Sequence, residues 1–268
     1  MSTSDSSTAS KKTLHTNDYL TKFNTDAYLS AYSFFEVNPS FDCLLKKMIN
    51  IFVQNKHRIG HGQALEFGGG PALFSSFILA QYVNSITFTD YTPSNLKAIE
   101  DWIEQNDDAH DWTEMFEFIS NDQLANLNNW EHRLRDALNY GKRLKCADVN
   151  GDHCPVLNGQ DRYDVILSSL CLDYACLTLE TYKNTLKRMK NLLKPGGCVI
   201  LTHGRNQTFY TVLDKDFFAL PVDEKKVHDA LAEAGFTDIQ VTGIDKPRNK
   251  YADADGYVVA CAFKSNEE

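Results

Sequence analysis

No apolar run in the 268 residues approaches the ~18 needed for a helix to cross a bilayer, so a membrane partner is not expected. Cations are the minority charge: 27 Lys and Arg stand against 36 Asp and Glu, a formal net of −9. A phosphate backbone is gripped by a dense cationic face, so a nucleic-acid partner is not expected either. The seven cysteines, at 43, 146, 154, 171, 176, 198 and 261, contain no CxxC spacing. Their odd number and their placement in apolar strand-like runs argue against a disulfide framework or a zinc site, and for a reducing, cytoplasmic setting. His57 and His61 are four apart, but Gly60 between them reads as a turn, so no metal is expected. Residues 1–12 are rich in Ser and Thr and carry no apolar h-region; they read as a disordered tail rather than a secretory signal. No internal repeat is visible. What is present, 43% apolar and 12% aromatic residues, suffices for one sizeable core, and 13–268 reads as a single domain.

The first part of that domain, 13–57, reads as a helical cap. It holds an aromatic-polar stretch with Tyr28 and Tyr32 on one helix face, then apolar residues at helical period from Phe41 to Val53. Gln63–Phe67 is a short apolar strand, followed by Gly68-Gly69-Gly70-Pro71 and an almost uniformly apolar helix over 72–82. Ser85–Asp90 is the next strand, and Thr92-Pro93 opens the next helix. Residues 104–144 read as a helical insertion, with strands at 144–149 and 163–170 beyond it. A helix from Leu179 is stopped by Lys194-Pro195-Gly196-Gly197, and a strand follows at 198–202. A helix capped by Asp223 and strands at 239–241 and 257–263 complete the chain. Alternating strands and helices predict an α/β, doubly wound, Rossmann-like parallel sheet, and the last two strands predict an antiparallel pair at one edge. Such an arrangement resembles the class I methyltransferase variation of that fold.

The chemistry centres on Glu66-Phe67-Gly68-Gly69-Gly70 and on Asp90, an acid about 20 residues beyond the turn that can accept from both ribose hydroxyls of an adenosyl cofactor. By itself this leaves NAD and S-adenosylmethionine both open, although GGGP lacks the third glycine of GxGxxG. Asp148, before Val149, is either a turn residue or an acceptor for an adenine amino group. Asp173 is either a helix cap or an amine anchor. His203, after a strand at the same edge, is either a loop histidine or a group that binds substrate and takes a proton. Lys142, Arg143 and Lys145 read as a solvated face.

Five stretches together resemble the nicotinamide / phenylethanolamine / indolethylamine N-methyltransferase family: NTDAYLSAY (24–32), TDYTPSNLKAIEDW (89–102), Asp111-Trp112, LSSLCLDYAC (167–176) and LLKPGG (192–197). The LCLD run followed by Ala-Cys is closest to the nicotinamide branch. The resemblance spans about Tyr19 to Lys264. It implies S-adenosyl-L-methionine as methyl donor, S-adenosyl-L-homocysteine as product, a small-molecule nitrogen acceptor and a monomeric cytoplasmic enzyme. Carried over residue by residue, cofactor contacts fall on Tyr28, Gly68, Gly69, Phe74, Asp90, Tyr91, Asn95, Asp148, Val149 and Ser169. Phe74 stands where the nicotinamide branch has a tyrosine, and Ser33 replaces the second of an adjacent tyrosine pair. The acceptor side implies Tyr32, Leu170, His203, Tyr210 and Ala219, with His203 in place of an acid and Ala219 in place of a serine. Asp253 and Asp255 lie near acids that hold a protonated amine in the phenylethanolamine branch, while Ala252 is closest to one of those positions.

A pyridine nitrogen is unprotonated at neutral pH and needs no base, whereas an aliphatic amine must first lose a proton. His203, Asp253 and Asp255 are therefore the candidate catalytic residues, for orienting the acceptor or taking that proton. The expected activity is N-methylation of nicotinamide or a related pyridine. The alternatives are an arylalkylamine or biogenic-amine N-methyltransferase and a non-catalytic adenosyl-binding protein; an NAD-dependent oxidoreductase would share the turn and the acid.

Overall fold

The computed structural model describes residues 13–32, 40–59, 62–123, 129–145, 148–150, 154–246 and 251–267. The tail at 1–12, Ser33, and the Gly60 and His61 positions lie outside them. A 3₁₀ turn at Thr16–Asp18 leads into α1 (Tyr19–Lys22), α2 (Thr25–Tyr32) and α3 (Ser40–Ile59). Then follow β1 (Gln63–Phe67), α4 (Phe74–Leu79), β2 (Ser85–Asp90) and α5 (Pro93–Glu104). The insertion carries α6 (Thr113–Gln123) and α7 (Trp130–Tyr140) ahead of β3 (Arg143–Lys145). The second half runs β4 (Tyr163–Ser169), α8 (Leu172–Ala175), α9 (Leu179–Leu192), β5 (Leu193–Arg205), β6 (Phe209–Val212), β7 (Lys215–Phe218), α10 (Glu224–Glu233), β8 (Thr237–Asp245) and β9 (Gly256–Phe263).

Seven strands form one sheet in the order β3-β2-β1-β4-β5-β9-β8. The first five strands of that order are parallel, and β9 runs antiparallel between β5 and β8. This is the doubly wound sheet with an antiparallel edge that the alternation of elements predicts. Both faces are covered, so inner strands are apolar throughout. On β9, Tyr257, Val259, Cys261 and Phe263 face the layer built from α3 to α7, while Val258, Ala260 and Ala262 face α9 and α10. Side chains of Thr178 and Asp223 cap α9 and α10 by accepting from Thr181 and Lys226 N–H, at 3.1 and 2.7 Å.

Several boundaries differ from the sequence reading. The helix expected in the cap over 41–53 runs to Ile59 and lies against β5, β8 and β9, with the Arg58 guanidinium 3.4 Å from the Phe263 ring centroid. Only its beginning, Phe41, reaches the cavity described below. The helix α4 is shorter than 72–82 because its end tightens into three-residue turns, Gln81 N to Ile78 O and Tyr82 N to Leu79 O. Strand β3 is described over Arg143–Lys145; of the expected 144–149, Cys146 and Ala147 lie outside the described residues, and Asp148 and Val149 are not in a strand. The Lys194–Gly197 breakers sit inside β5, absorbed by a shift in register opposite Tyr163 and by Gly196 at φ +76°. The β6–β7 hairpin forms a separate two-stranded sheet. Leu14 bridges to Phe217, with its N–H on Asp216 O and its carbonyl accepting from Phe218 N, both at 2.8 Å.

Candidate functional site

A cavity opens at the carboxyl edge of the parallel strands, enclosing ≈ 1650 Å³ of empty space including its open mouth. The ends of β1, β2 and β4 form one half of its wall. Segments 16–32 and 207–210, together with Lys246 and residues 251–257, form the other.

The first half is organised by the turn after β1. Gly68 N–H donates to Thr89 Oγ1 at 3.3 Å, Gly69 N–H to Thr89 O at 3.0 Å, and Gly70 N–H to Asp90 Oδ2 at 2.9 Å. Gly68 adopts φ +68°, and a Cβ there would stand 2.0 Å from Cys171 Sγ. Gly70 adopts φ +66°, and a Cβ there would meet nothing within 4 Å, because the chain faces open space. Asp90 Oδ1 accepts from Thr92 N–H at 2.8 Å and from the Asn95 amide at 3.0 Å. Asn95 in turn accepts from Thr25 Oγ1 at 2.8 Å, which ties α2 to the acid. Burial raises the Asp90 pKa, against the three donors that lower it.

Asp148 accepts from the backbone and side chain of Asn150, both on Oδ1, at 2.9 and 2.6 Å. Tyr91 and Val149 stand with it on the wall, and burial together with the Asp148 charge raises the Tyr91 pKa. Ser169 Oγ shares a 2.8 Å hydrogen bond with Thr202 Oγ1. Leu170 sits at φ +49°, held there by its N–H on Thr202 O and Oγ1 at 2.9 and 3.1 Å. Phe74 packs edge-on against Phe41, ring centroids 4.8 Å apart.

These residues make a donor set that fits an adenosyl group. Each hydroxyl of a vicinal diol donates and accepts, and a carboxylate beside a primary amide supplies both partners. The open face at Gly70 leaves backbone room. Among the described residues, the turn at Asp148 uses only Oδ1, which leaves Oδ2 as a further acceptor.

The second half is aromatic. Tyr28 and Tyr32 stack with centroids 4.8 Å apart, and Tyr32 Oη donates to Thr211 O at 2.7 Å. Tyr19 and Tyr210 share a hydroxyl–hydroxyl bond of 2.8 Å, and Tyr174 Oη donates to Gln207 Oε1 at 3.2 Å. Burial raises the pKa of all five tyrosines, so they stay neutral donors. Lys246, Tyr251, Ala252 and Tyr257 complete this wall.

Four expected residues are not on the wall. His203 is fully buried within the fold, with Nε2 2.9 Å from Tyr182 Oη and Nδ1 3.3 Å from Asp173 Oδ1. Asp173 Oδ2 also accepts from Gly204 N–H at 2.9 Å, so Asp173 is neither an exposed amine anchor nor a simple cap. Asp253 is spent on the backbone N–H groups of Thr208 and Phe209 and on the Thr208 hydroxyl. Asp255 is held by Arg205 and Asn206. Ala219 is wholly buried, its N–H on Thr208 O. In this structure His203, Asp253 and Asp255 bond to the scaffold, and none of the three lines the cavity. Conversely, Tyr19, Tyr174, Gln207, Lys246, Tyr251 and Tyr257 reach the cavity without having been singled out. The aromatic richness of 19–35 was the one local signal for any of them.

The NNMT/PNMT/TEMT family model matches residues 11–265. Human nicotinamide N-methyltransferase (Homo sapiens) is 29% identical over 226 residues, covering 82% of this chain and 84% of that protein. Rabbit indolethylamine N-methyltransferase (Oryctolagus cuniculus) is 26% identical over 228 residues, with coverage of 82% and 84%. Among solved structures, the N-methyltransferase NodS from Bradyrhizobium japonicum WM9 superposes with a TM-score of 0.52 at 10% identity, covering 85% of this chain and 98% of that one, which speaks to the fold alone. With a sheet of the class I type, a turn and acid suited to an adenosyl group, and a match along nearly its whole length, the chain belongs to the NNMT/PNMT/TEMT family and so to the S-adenosylmethionine-dependent N-methyltransferases.

Proposed function

We propose that this enzyme methylates the ring nitrogen of nicotinamide or a related pyridine. The observation that carries the reading is the make-up of the second half of the cavity. Among the described residues it presents tyrosine hydroxyls, the Gln207 amide and one lysine, and no carboxylate. A protonated alkylamine needs an acid to bind it and a base to deprotonate it, and His203, Asp253 and Asp255 are all engaged elsewhere. A ring nitrogen needs neither. The net charge of −9 likewise speaks for a small molecule over a polyanion, and the six described free cysteines, four of them buried, suit the cytosol.

Bound S-adenosylmethionine would supply a methyl group already activated by a sulfonium. In this reading Asp90 and Asn95 hold the ribose, Asp148 and Val149 the adenine, and Tyr28, Gly68, Gly69 and Phe74 the amino-acid end. Tyr91 and Ser169 close the sides. Tyr32, Leu170 and Tyr210 orient the acceptor ring from the opposite wall. The stacked tyrosines exclude water from between nucleophile and methyl. Alignment of this kind is worth about 7–11 kcal/mol in effective-molarity terms.

Incubation with S-adenosylmethionine and nicotinamide, with tryptamine and phenylethanolamine in parallel, followed by mass spectrometry of the products, tests the reading. Formation of 1-methylnicotinamide is expected. Methylation of an amine without any pyridine product would overturn it.

A further inference from the structure

One described cation lines the second half of the cavity. Lys246 follows β8, and its backbone N–H donates to Asp255 O at 3.0 Å, so the side chain starts from a fixed point. The residue is 8% exposed and lines the cavity. Its Nζ stands 5.5 Å from the centroid of the Tyr257 ring. Among the described residues no carboxylate closes on that nitrogen. Asp245, its neighbour in sequence, pairs with Arg205, and Asp253 and Asp255 are bonded to Thr208, Phe209, Arg205 and Asn206 and act on it only at a distance. Burying an ammonium without an anion is unfavourable, and burial indeed draws the Lys246 pKa below the ordinary lysine value. The position is one that a bound anion would relieve.

That anion does not have to come from the nucleotide. Lys246 stands at the end of β8, four strands along the sheet from β1 and its glycine turn, or about 19 Å at the usual strand spacing. The segment beside it, Tyr251 to Tyr257, and Tyr32, edge-on to Tyr251, belong to the acceptor wall. We propose that Lys246 anchors an anionic substituent on the acceptor, so that the preferred acceptor is a nitrogen heteroaromatic carrying a carboxylate. The inference rests on the pyridine reading above and deepens it.

The chemistry balances without a base. The ring-nitrogen lone pair forms the new N–CH3 bond, the S–CH3 bond breaks, and its electron pair returns to sulfur. The product is a pyridinium carboxylate of zero net charge, and no proton moves. Its carboxylate is then partly neutralised within the molecule, so Lys246 holds product less firmly than substrate.

Binding to the protein loaded with S-adenosylhomocysteine, measured by calorimetry at pH 7, separates the ideas. Nicotinate is expected to bind at least tenfold more tightly than nicotinamide. The Lys246→Met variant is expected to reduce that preference about 10- to 100-fold, the range for a hydrogen bond to a charged group, and Lys246→Arg to retain most of it. Equal affinities in the unmodified protein, or an unchanged preference in Lys246→Met, would overturn the proposal. Benzoate, which has the carboxylate but no ring nitrogen, distinguishes the two layers. Lys246-dependent binding of benzoate with no pyridine methylated would keep the anion site and discard the pyridine acceptor. Turnover of nicotinamide with no Lys246-dependent anion binding would do the reverse. Thermal melts and S-adenosylhomocysteine affinity of each variant report folding independently.

Discussion

The backbone N–H of Gly70 donates to Asp90 Oδ2 at 2.9 Å, joining the turn after β1 to the acid that ends β2. The same carboxylate accepts from Thr92 and Asn95, so it shapes the wall as well as facing it. Asp90→Ala is expected to weaken S-adenosylhomocysteine binding by about 2–3 kcal/mol, from two ribose hydrogen bonds at ~1–1.5 each. Asp90→Asn is expected to cost at least as much, because one amide N–H2 would have to face the N–H of Gly70 or of Thr92. Calorimetric affinity within twofold of the unmodified protein for either variant would contradict the assignment.

His203 bridges Tyr182 and Asp173 out of reach of solvent. Its removal strands two buried polar groups, a loss of about 1–3 kcal/mol for each unsatisfied partner. His203→Ala is expected to lower the melting temperature while leaving the acceptor KM of the folded fraction within about twofold. A large rise in KM at unchanged stability would return the residue to the acceptor wall.

Gly68 and Cys171 approach so closely that a methyl group on the glycine would overlap Sγ. Gly68→Ala carries that clash plus ~1–2 kcal/mol for an L-residue at positive φ. The double variant with Cys171→Ala should recover cofactor affinity in part, since the Cys171 Cβ, at 3.1 Å, still crowds the added methyl. No recovery would mean that the loss came from the backbone conformation alone.

Glu66 lies beneath the same turn, fully buried, with its carboxylate accepting from Ser75 and Ser76. Burial pushes its pKa up to about 7, from 4.5 for the free side chain, against the two hydroxyls. Between those values the folded protein binds the extra proton. Stability is therefore greatest below about pH 4.5 with respect to this group, falls as pH rises toward 7, and levels off above. The full effect is ~3 kcal/mol at 1.36 per unit. Glu66→Gln should be more stable than the unmodified protein at pH 8 and lose that advantage by pH 5. Denaturant midpoints at the two pH values measure it, and a pH-independent difference would refute the cause given.

The strand ends could be read in the chain because backbone rules mark them. Glycines at Gly68 and Gly70 take positive φ, and an acid closes β2 where the ladder stops. The β6–β7 hairpin could not, because its turn places Leu213 at φ +57° and offers no Asn-Gly or Asp-Gly signal. Asp253 and Asp255 looked like ligands for an amine, yet short-range hydrogen bonds to neighbouring loops consume them. A lone lysine after a strand reads as solvated, and only the packing of Tyr257 against Lys246 reveals otherwise. The acceptor wall depends on three segments far apart in sequence, which no local pattern joins.

That division has a consequence for how the enzyme can diversify. The nucleotide side is locked to the register of the parallel strands, where a shift of one residue would turn every side chain to the opposite face. The opposite wall draws on the β6–β7 hairpin, an N-terminal segment and described residues flanking β8 and β9, none of which takes part in that parallel register. A change confined to those segments is expected to alter the wall that carries Tyr32 and Tyr210 while leaving the glycine turn and Asp90 in place.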